Sequence, residues 1–207
     1  PPLAPAAAPI ETSHFRHTLP TNKSIAPTMP DLLQKAWLLA AHHHENQRYN
    51  TPVEGVTLPY LTHIGAVLIE AQQALYHHPE FDANLLLCSA VLHDTLEDTD
   101  LSADLLKSTF GESIHSGVQA LTKDESLTSK RAQMEDSLQR ILAAPAEIAA
   151  VKLCDRINNL APPPHYWTPG KIIAYREEAQ LILDRLGHVS TYLGQRLASK
   201  IAAYPPR

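Results

Sequence analysis

Apolar residues recur at a helical period through most of this 207-residue chain, and no other feature limits the fold as strongly. The pattern starts after Asp31, a plausible N-cap, where Leu33, Ala36, Trp37 and Ala40 lie three or four positions apart. No sustained alternation of apolar and polar residues indicates a sheet. The sequence therefore predicts an all-α fold.

Proline, glycine and capping residues divide this pattern into elements. Ser102 and Gly111 bound a short helix, Pro162 to Pro164 end another, and Thr168 with Pro169 start the next as N-cap and first helical residue. The segment 48–59 is predicted to be a loop. Further helices are predicted near 60–78, 83–97, 112–122, 129–143, 146–160, 168–186 and 188–203.

The N-terminal segment, residues 1–30, differs in composition from the rest. Seven prolines lie there among Ala, Thr and Ser, a mixture that neither propagates a helix nor supplies a core. We therefore predict an extended or disordered arm over residues 1–30 and one catalytic domain over 31–204. A hydrophobic content of 44% is sufficient for the core of such a domain.

Charge and cysteine content restrict the partners and the compartment. A net charge of -5 argues against general attraction to nucleic acid or anionic membrane and favours a small-molecule partner. No apolar run approaches the roughly 20 residues needed to span a bilayer, and no signal-peptide pattern is visible. The two cysteines, Cys88 and Cys154, suit a reducing compartment, so we expect a cytoplasmic protein. The oligomeric state stays open, with a homo-oligomer among the options.

The most specific motif is the hexapeptide His93-Asp94-Thr95-Leu96-Glu97-Asp98, which follows the apolar run Leu85 to Leu92. Its four polar positions are expected by chance only on the order of 0.002 times in a chain of this composition. On a single helix they would form one polar arc, with the leucines on the far side. The alternative is a solvated helix face, but it does not explain why the preceding helix is apolar almost all round. The arc therefore indicates a site.

Two more segments carry residues with related chemistry. His63 lies at the start of a predicted helix, and Asp155 and Asn159 are one helical turn apart in Lys152-Leu153-Cys154-Asp155-Arg156-Ile157-Asn158-Asn159-Leu160. Alone, each has an ordinary structural explanation, a hydrogen-bonded histidine or a surface salt bridge. Their order along the chain gives them more weight.

The series His63, His93-Asp94 and Asp155 resembles the ligand series of the HD-superfamily phosphohydrolases. The two longer motifs are similar to the hydrolase domain of the RelA/SpoT-homologue family, and the resemblance covers residues 31 to about 200. It implies a helical bundle around one divalent metal, usually manganese, with His63, His93, Asp94 and Asp155 as ligands. Glu97 and Asp98 correspond to the acidic pair that acts on water. Imidazole with carboxylate suits a borderline or hard cation, which can promote phosphoester hydrolysis.

The resemblance further implies a substrate: a purine nucleotide of the (p)ppGpp or (p)ppApp type that loses its 3′-pyrophosphate. The predicted substrate contacts are Arg48, Lys123, Arg156, Asn159 and Tyr175. Family members usually carry an Arg-Lys pair shortly after a glutamine in the first helix, whereas Tyr and Asn stand at those places here, at positions 49 and 50. The sequence leaves a guanine and an adenine base equally open.

Two other functions fit the same residues. One is a different HD-type nucleotide phosphohydrolase that cleaves a 5′-phosphate or triphosphate. The other is a nucleotide-binding module without turnover. The acidic pair and the segment from Asp155 to Asn159 favour the alarmone hydrolase, and a module that only binds would not need to keep a metal site.

Overall fold

The computed structural model describes residues 28–205, and helices occupy most of this range. The predicted all-α class is thereby confirmed, whereas the arm predicted for residues 1–30 lies outside the described residues up to residue 27. No helix among the described residues is long and apolar enough to cross a membrane. The helices are α1 (Met29–His43), α2 (Leu61–His77), α3 (Ala83–Leu92), α4 (Thr95–Asp98), α5 (Ala103–Phe110), α6 (Glu112–Leu121), α7 (Lys130–Ala143), α8 (Ala146–Asn159), α9 (Pro169–Leu186) and α10 (Thr191–Ala203).

Two central helices, α3 and α8, form the middle of the bundle. Helix α3 packs against α1, α2, α6 and α8, and every residue from Leu85 to Leu92 is buried. In α8 every residue from Ile148 to Ile157 is buried. A helix that is apolar all round must lie inside a protein, so the sequence of α3 dictates its central place. Because both helices are held in the core, the residues at their C-terminal ends have fixed positions.

The helix boundaries agree with most of the predicted caps. Ser102 Oγ and Thr168 Oγ1 accept hydrogen bonds from the backbone N–H groups of Leu105 and Lys171, at 3.2 and 3.3 Å. The prediction that Asp31 caps the first helix was wrong. Thr28 is the N-cap, because Pro30 fits the first helical turn, where its missing N–H costs nothing. The last helix begins at Thr191 rather than 188, after a 3-10 turn over 187–189.

The segment predicted to be a loop contains a small antiparallel hairpin, which corrects the expectation of a structure without any sheet. Strand β1 (Arg48–Asn50) pairs with β2 (Thr57–Pro59), with Tyr49 opposite Leu58. Gly55 has a positive φ of 75°, which suits the turn between the strands. Strands of three residues are too short to show an alternating pattern, and sequence periodicity could not reveal them.

The helix predicted over 83–97 is interrupted, so the single polar arc over residues 93–98 was also wrong. A turn at His93 and Asp94 separates α3 from α4. At this point side chains compete for backbone acceptors: His93 Nδ1 lies 2.9 Å from Ala90 O, and Thr95 Oγ1 donates to Leu92 O at 2.7 Å. Such local bonds offer the backbone an alternative to the regular helical pattern. The break turns His93 and Asp94 into the end of one helix and Glu97 and Asp98 into part of the next.

Candidate metal and catalytic site

A cleft of about 220 Å³ lies where the C-terminal ends of α3 and α8 meet α4 and α9. Five carboxylates line it against two lysines and one arginine, an excess that would repel a polyanion unless a cation offsets it. The lining residues are Tyr60, His93, Asp94, Glu97, Asp98, Leu121, Lys123, Lys152, Asp155, Arg156, Asn159, Tyr175 and Glu178.

Two buried histidines present their Nε2 atoms to the same point. His63 Nδ1 lies 2.7 Å from the side-chain amide oxygen Oδ1 of Asn158, and His93 Nδ1 lies 2.9 Å from the backbone carbonyl oxygen of Ala90. A carbonyl oxygen only accepts, so each Nδ1 must carry the hydrogen. This leaves both Nε2 atoms with a lone pair, the tautomer in which histidine binds a metal.

The two predicted carboxylate ligands complete this group. Asp155 Oδ1 lies 3.5 Å from His63 Nε2 and 3.8 Å from His93 Nε2, and ligand atoms of these three residues all lie within 4.8 Å of one another. Asp94 Oδ2 lies 2.8 Å from His93 Nε2 and 3.7 Å from His63 Nε2. The structure therefore brings together the four residues that the sequence singled out as ligands.

The donor set fits a divalent cation. His93 Nε2 is buried and has no hydrogen-bond partner among the described residues, although Asp94 Oδ2 is only 2.8 Å away. A buried nitrogen without a hydrogen bond is costly unless another group satisfies its lone pair. Two imidazoles and two carboxylates suit a borderline or hard metal ion, and no thiolate takes part.

The charges around the site shift the pKa values of two predicted ligands, His63 and Asp155. Burial opposes protonation of His63, but Asp155 and Asp94 outweigh it and raise its pKa to about 10. Burial also opposes ionisation of Asp155, while the Lys152 ammonium, 3.1 Å away, holds the pKa of that carboxyl well below its usual range. A field that attracts a proton to Nε2 attracts a cation to the same lone pair, and metal binding displaces the proton.

Glu97, one of the two predicted catalytic acids, is held on both of its oxygens. Lys123 Nζ donates to Oε1 at 2.6 Å, and the backbone N–H of Lys123 donates to Oε2 at 3.0 Å. Burial opposes the charge on Lys123, but the neighbouring Glu97 raises the pKa of Lys123 above its usual value. Lys123, which the sequence assigned to the substrate, lines the cleft and also contacts a predicted catalytic group.

Asp98, the other predicted acid, is held on one oxygen. Gln47 Nε2 donates to Asp98 Oδ2 at 3.2 Å, and the Tyr60 hydroxyl lies 3.4 Å from that oxygen. Burial and the nearby Asp94 charge raise the pKa of Asp98. A carboxyl with a raised pKa is a better proton acceptor than an ordinary aspartate.

The predicted substrate contacts divide into two groups. Four of them line the cleft: Lys123, Arg156, Asn159 and Tyr175. The Arg156 guanidinium lies over the Tyr175 ring, 4.4 Å from its centre, and pairs with Glu178. Asn159 donates to Asp155, a predicted ligand. Arg156 keeps Nε and Nη1 buried without a partner among the described residues.

Arg48 is not brought to the cleft. It lies exposed on β1, and its Nε donates across the hairpin to Thr57 Oγ1 at 3.3 Å. The next residue, Tyr49, faces the site: its ring stacks on the His63 imidazole at a centroid distance of 5.5 Å and an interplanar angle of 6°. Adjacent residues on a strand point to opposite faces, which explains why only one of the two reaches the site.

Sequence reasoning missed His44, Gln47 and Tyr60. Histidines stand at positions 42, 43 and 44, and of these His44 is buried on the same face as Ala36 and Ala40. The spacing of four residues was visible in the sequence and could have separated His44 from its neighbours. Gln47 and Tyr60 gave no such signal, because the hairpin that joins them was not predicted.

Comparison with known proteins agrees with this geometry. The HD-domain family model matches residues 36–187. The guanosine-3′,5′-bis(diphosphate) 3′-pyrophosphohydrolase MESH1 of Danio rerio is 32% identical over 166 residues, which span 76% of this chain and 86% of that protein. The 3′-pyrophosphohydrolase of Aquifex aeolicus is 30% identical over 137 residues, 65% of this chain and 18% of that longer protein.

The fold has the same relatives. A solved structure of a metazoan orthologue of SpoT, described as hydrolysing ppGpp, superposes with a TM-score of 0.71 at 24% identity and covers 88% of this chain and 99% of that chain. Together with the family model and the sequence identity, this match confirms the resemblance seen in the motifs. The chain belongs to the HD-domain family, in the group that includes the MESH1 3′-pyrophosphohydrolases.

Proposed function

We propose that this chain is a metal-dependent hydrolase that removes the 3′-pyrophosphate of ppGpp-like nucleotides. The observation that carries the proposal is the convergence of the Nε2 atoms of two histidines with the carboxylates of two aspartates, at the cleft that Glu97 and Asp98 line. The 3′-pyrophosphohydrolase activity in the names of the relatives supports this choice of substrate.

His63, His93, Asp94 and Asp155 would hold the cation, and we propose manganese. When bound there, a divalent cation polarises a phosphoryl oxygen and makes water more acidic. It would also offset the carboxylate excess of the cleft, so that a nucleotide with several phosphates can approach. Lys152 and Asn158 keep Asp155 and His63 in their orientations.

Glu97 and Asp98 would have different roles in the reaction. Both Glu97 oxygens accept hydrogen bonds from Lys123, so the Glu97 side chain is held in place and can orient water or substrate beside it. Gln47 and Tyr60 both contact Asp98 at Oδ2, and burial raises the pKa of this carboxyl. We therefore assign proton acceptance from the attacking water to Asp98, with Glu97 as a second essential group.

Arg156 and Tyr175 would bind the nucleotide. The guanidinium of Arg156 lies against the cleft with buried N–H groups that lack a partner among the described residues, and such groups suit phosphate oxygens. Two free, buried thiols, Cys88 and Cys154, support a reducing compartment, and we propose the cytoplasm.

The test is a substrate panel with purified protein. Protein loaded with Mn²⁺, Zn²⁺ or Co²⁺ is incubated with ppGpp, ppApp, GTP, ATP and nucleoside monophosphates. We expect pyrophosphate and GDP from ppGpp, with the highest rate in manganese. Release of phosphate or triphosphate from ordinary nucleotides instead would identify another HD-type phosphohydrolase. Tight binding of ppGpp without any product would identify a binding module.

A further inference from the structure

The base of the hairpin brings three residues outside the metal site into one hydrogen-bonded group. Gln47 precedes β1 and Tyr60 follows β2, and the backbone N–H of Tyr60 donates to Gln47 O at 3.1 Å. The backbone N–H of Gln47 in turn donates to His44 O at 3.0 Å. The chain therefore places these three side chains together at the edge of the cleft.

The Gln47 amide is oriented by its two neighbours. Its Nε2 lies 3.2 Å from Asp98 Oδ2, and its Oε1 lies 2.5 Å from His44 Nδ1. A carboxylate accepts only, so the NH₂ end must face Asp98, and the carbonyl end must then face His44. His44 Nδ1 must therefore carry the hydrogen.

The rest of His44 agrees with this neutral tautomer. Its Nε2 is buried without a partner among the described residues, where a second N–H would be an unsatisfied donor. Burial lowers the pKa of His44 against the effect of Gln47. The ring stacks on Tyr60 at a centroid distance of 4.9 Å, which fixes its plane.

Tyr60 serves a different carboxylate. Its hydroxyl lies 2.5 Å from Asp94 Oδ2 and 3.4 Å from Asp98 Oδ2. A hydroxyl has one hydrogen, and the shorter contact takes it. Gln47 is thus the donor that fixes Asp98, and Tyr60 is the donor that fixes Asp94.

We propose that His44 and Gln47 are positioning residues for Asp98, and that Tyr60 positions the metal ligand Asp94. This inference rests on the proposed function for the role of Asp98 in the reaction. It also gives the hairpin a function. The hairpin joins the end of α1 to the start of α2, so that Gln47 donates to Asp98 and Tyr60 donates to Asp94.

The experiment is a double-mutant cycle with Gln47→Met and Asp98→Asn in the metal-loaded full chain, with ppGpp as substrate. Gln47→Met keeps the length of the side chain and removes its donor. We expect kcat to fall on the order of 10- to 100-fold, as for a misplaced catalytic group, with KM and manganese affinity unchanged. In the Asp98→Asn background the same change should cost almost nothing. An equal loss in both backgrounds overturns the proposal.

Three further variants make the cycle specific. His44→Phe keeps the stacked ring but loses the N–H, and it should reproduce the kcat loss of Gln47→Met. Tyr60→Phe should instead weaken manganese binding by about 10- to 100-fold, as for other groups that orient ligands. Gln73→Met, at an exposed position of α2, is the matched control and should behave as the wild type. Weaker metal binding in Gln47→Met, or unchanged binding in Tyr60→Phe, contradicts the assignment of donors.

A readout without turnover separates this proposal from the proposed function. Nitrogen-15 NMR of the histidine side chains should show His44 as the neutral tautomer with hydrogen on Nδ1, and this state should be lost in Gln47→Met. If the protein hydrolyses no alarmone, the proposed function fails while the tautomer and the manganese affinities still test the network. Protonation of His44 on Nε2 in the wild type overturns the network itself.

Discussion

The metal-binding side of the cleft and its hairpin side are built in different ways. His93, Asp94 and Asp155 lie at or near the ends of α3 and α8, whose preceding residues are buried on every face. Arg48 lies on a strand of three residues, where side chains are exposed or half-buried. Burial of one leucine side chain stabilises the fold by roughly 1.5–3 kcal/mol. Displacement of α3 would expose several such side chains and lose this stabilisation for each of them. No comparable cost fixes the direction of Arg48.

This difference shows which functional residues can be recognised without a structure. A ligand at the end of a buried helix has its direction set by the core, and the core pattern is visible in the sequence. A contact on a short hairpin depends on register, and a shift of one residue moves a side chain to the other face. Arg48 and Tyr49 are neighbours, and only Tyr49 contacts the metal-site residue His63.

The largest effect should come from removal of a ligand on the buried side. We expect Asp94→Ala to lose manganese and activity together, because the carboxylate lies against both histidines. The loss in metal affinity should exceed the roughly 10- to 100-fold typical of outer-shell changes. Metal analysis and turnover of ppGpp measure it, with Asp104→Ala, at an exposed position of α5, as control. Full metal content with lost activity would remove Asp94 from the ligands.

The second effect concerns the acidic pair. Glu97→Gln keeps the shape and removes the charge that Lys123 balances. We expect metal content to stay and kcat to fall by about 10² to 10⁴, a loss as large as that of a catalytic acid or base, because Asp98 can accept the proton only from a correctly oriented water. Exposed Glu177→Gln is the matched control. A rate near that of the wild type would leave Asp98 as the remaining catalytic group.

A smaller effect is expected when the residue that orients a ligand, rather than the ligand itself, is replaced. Asn158→Ala removes the carbonyl oxygen that orients His63 through Nδ1. Metal affinity should fall by about 10- to 100-fold, and excess manganese should restore kcat. Titration with manganese followed by paramagnetic resonance measures the affinity. A defect that manganese cannot restore would mean that Asn158 acts on the reaction rather than on the ligand.

On the hairpin side, Arg48→Ala should change little. Its hydrogen bonds reach Thr57 on the surface, and surface changes of this kind stay within about 0.5 kcal/mol, roughly a factor of two in an equilibrium. The comparison is Arg156→Lys, which loses the planar stack on Tyr175 and should raise KM more strongly. Steady-state kinetics with ppGpp distinguish the two. A large rise in KM for Arg48→Ala would return that residue to the substrate site.

The smallest effect should come from deletion of residues 1–27. The composition of this segment lacks core-forming periodicity and any of the predicted ligands. We expect kcat and KM of the shortened chain to stay near those of the full chain, with an unchanged melting temperature. A large loss of turnover with the fold intact would show that the segment contributes to the site.

The sequence by itself determined the helical class, most helix ends and the four candidate ligands. The apolar period, the caps and the motif around His93 and Asp94 are local features of the sequence. The buried helices α3 and α8 then fix the positions of the residues that carry them. Only the tertiary structure decided which donor meets which carboxylate. The bond from Gln47 to Asp98 and the pairing of Lys123 with Glu97 join residues 51 and 26 positions apart. Such contacts depend on how the hairpin and the helices pack, and no periodicity along the chain encodes that packing.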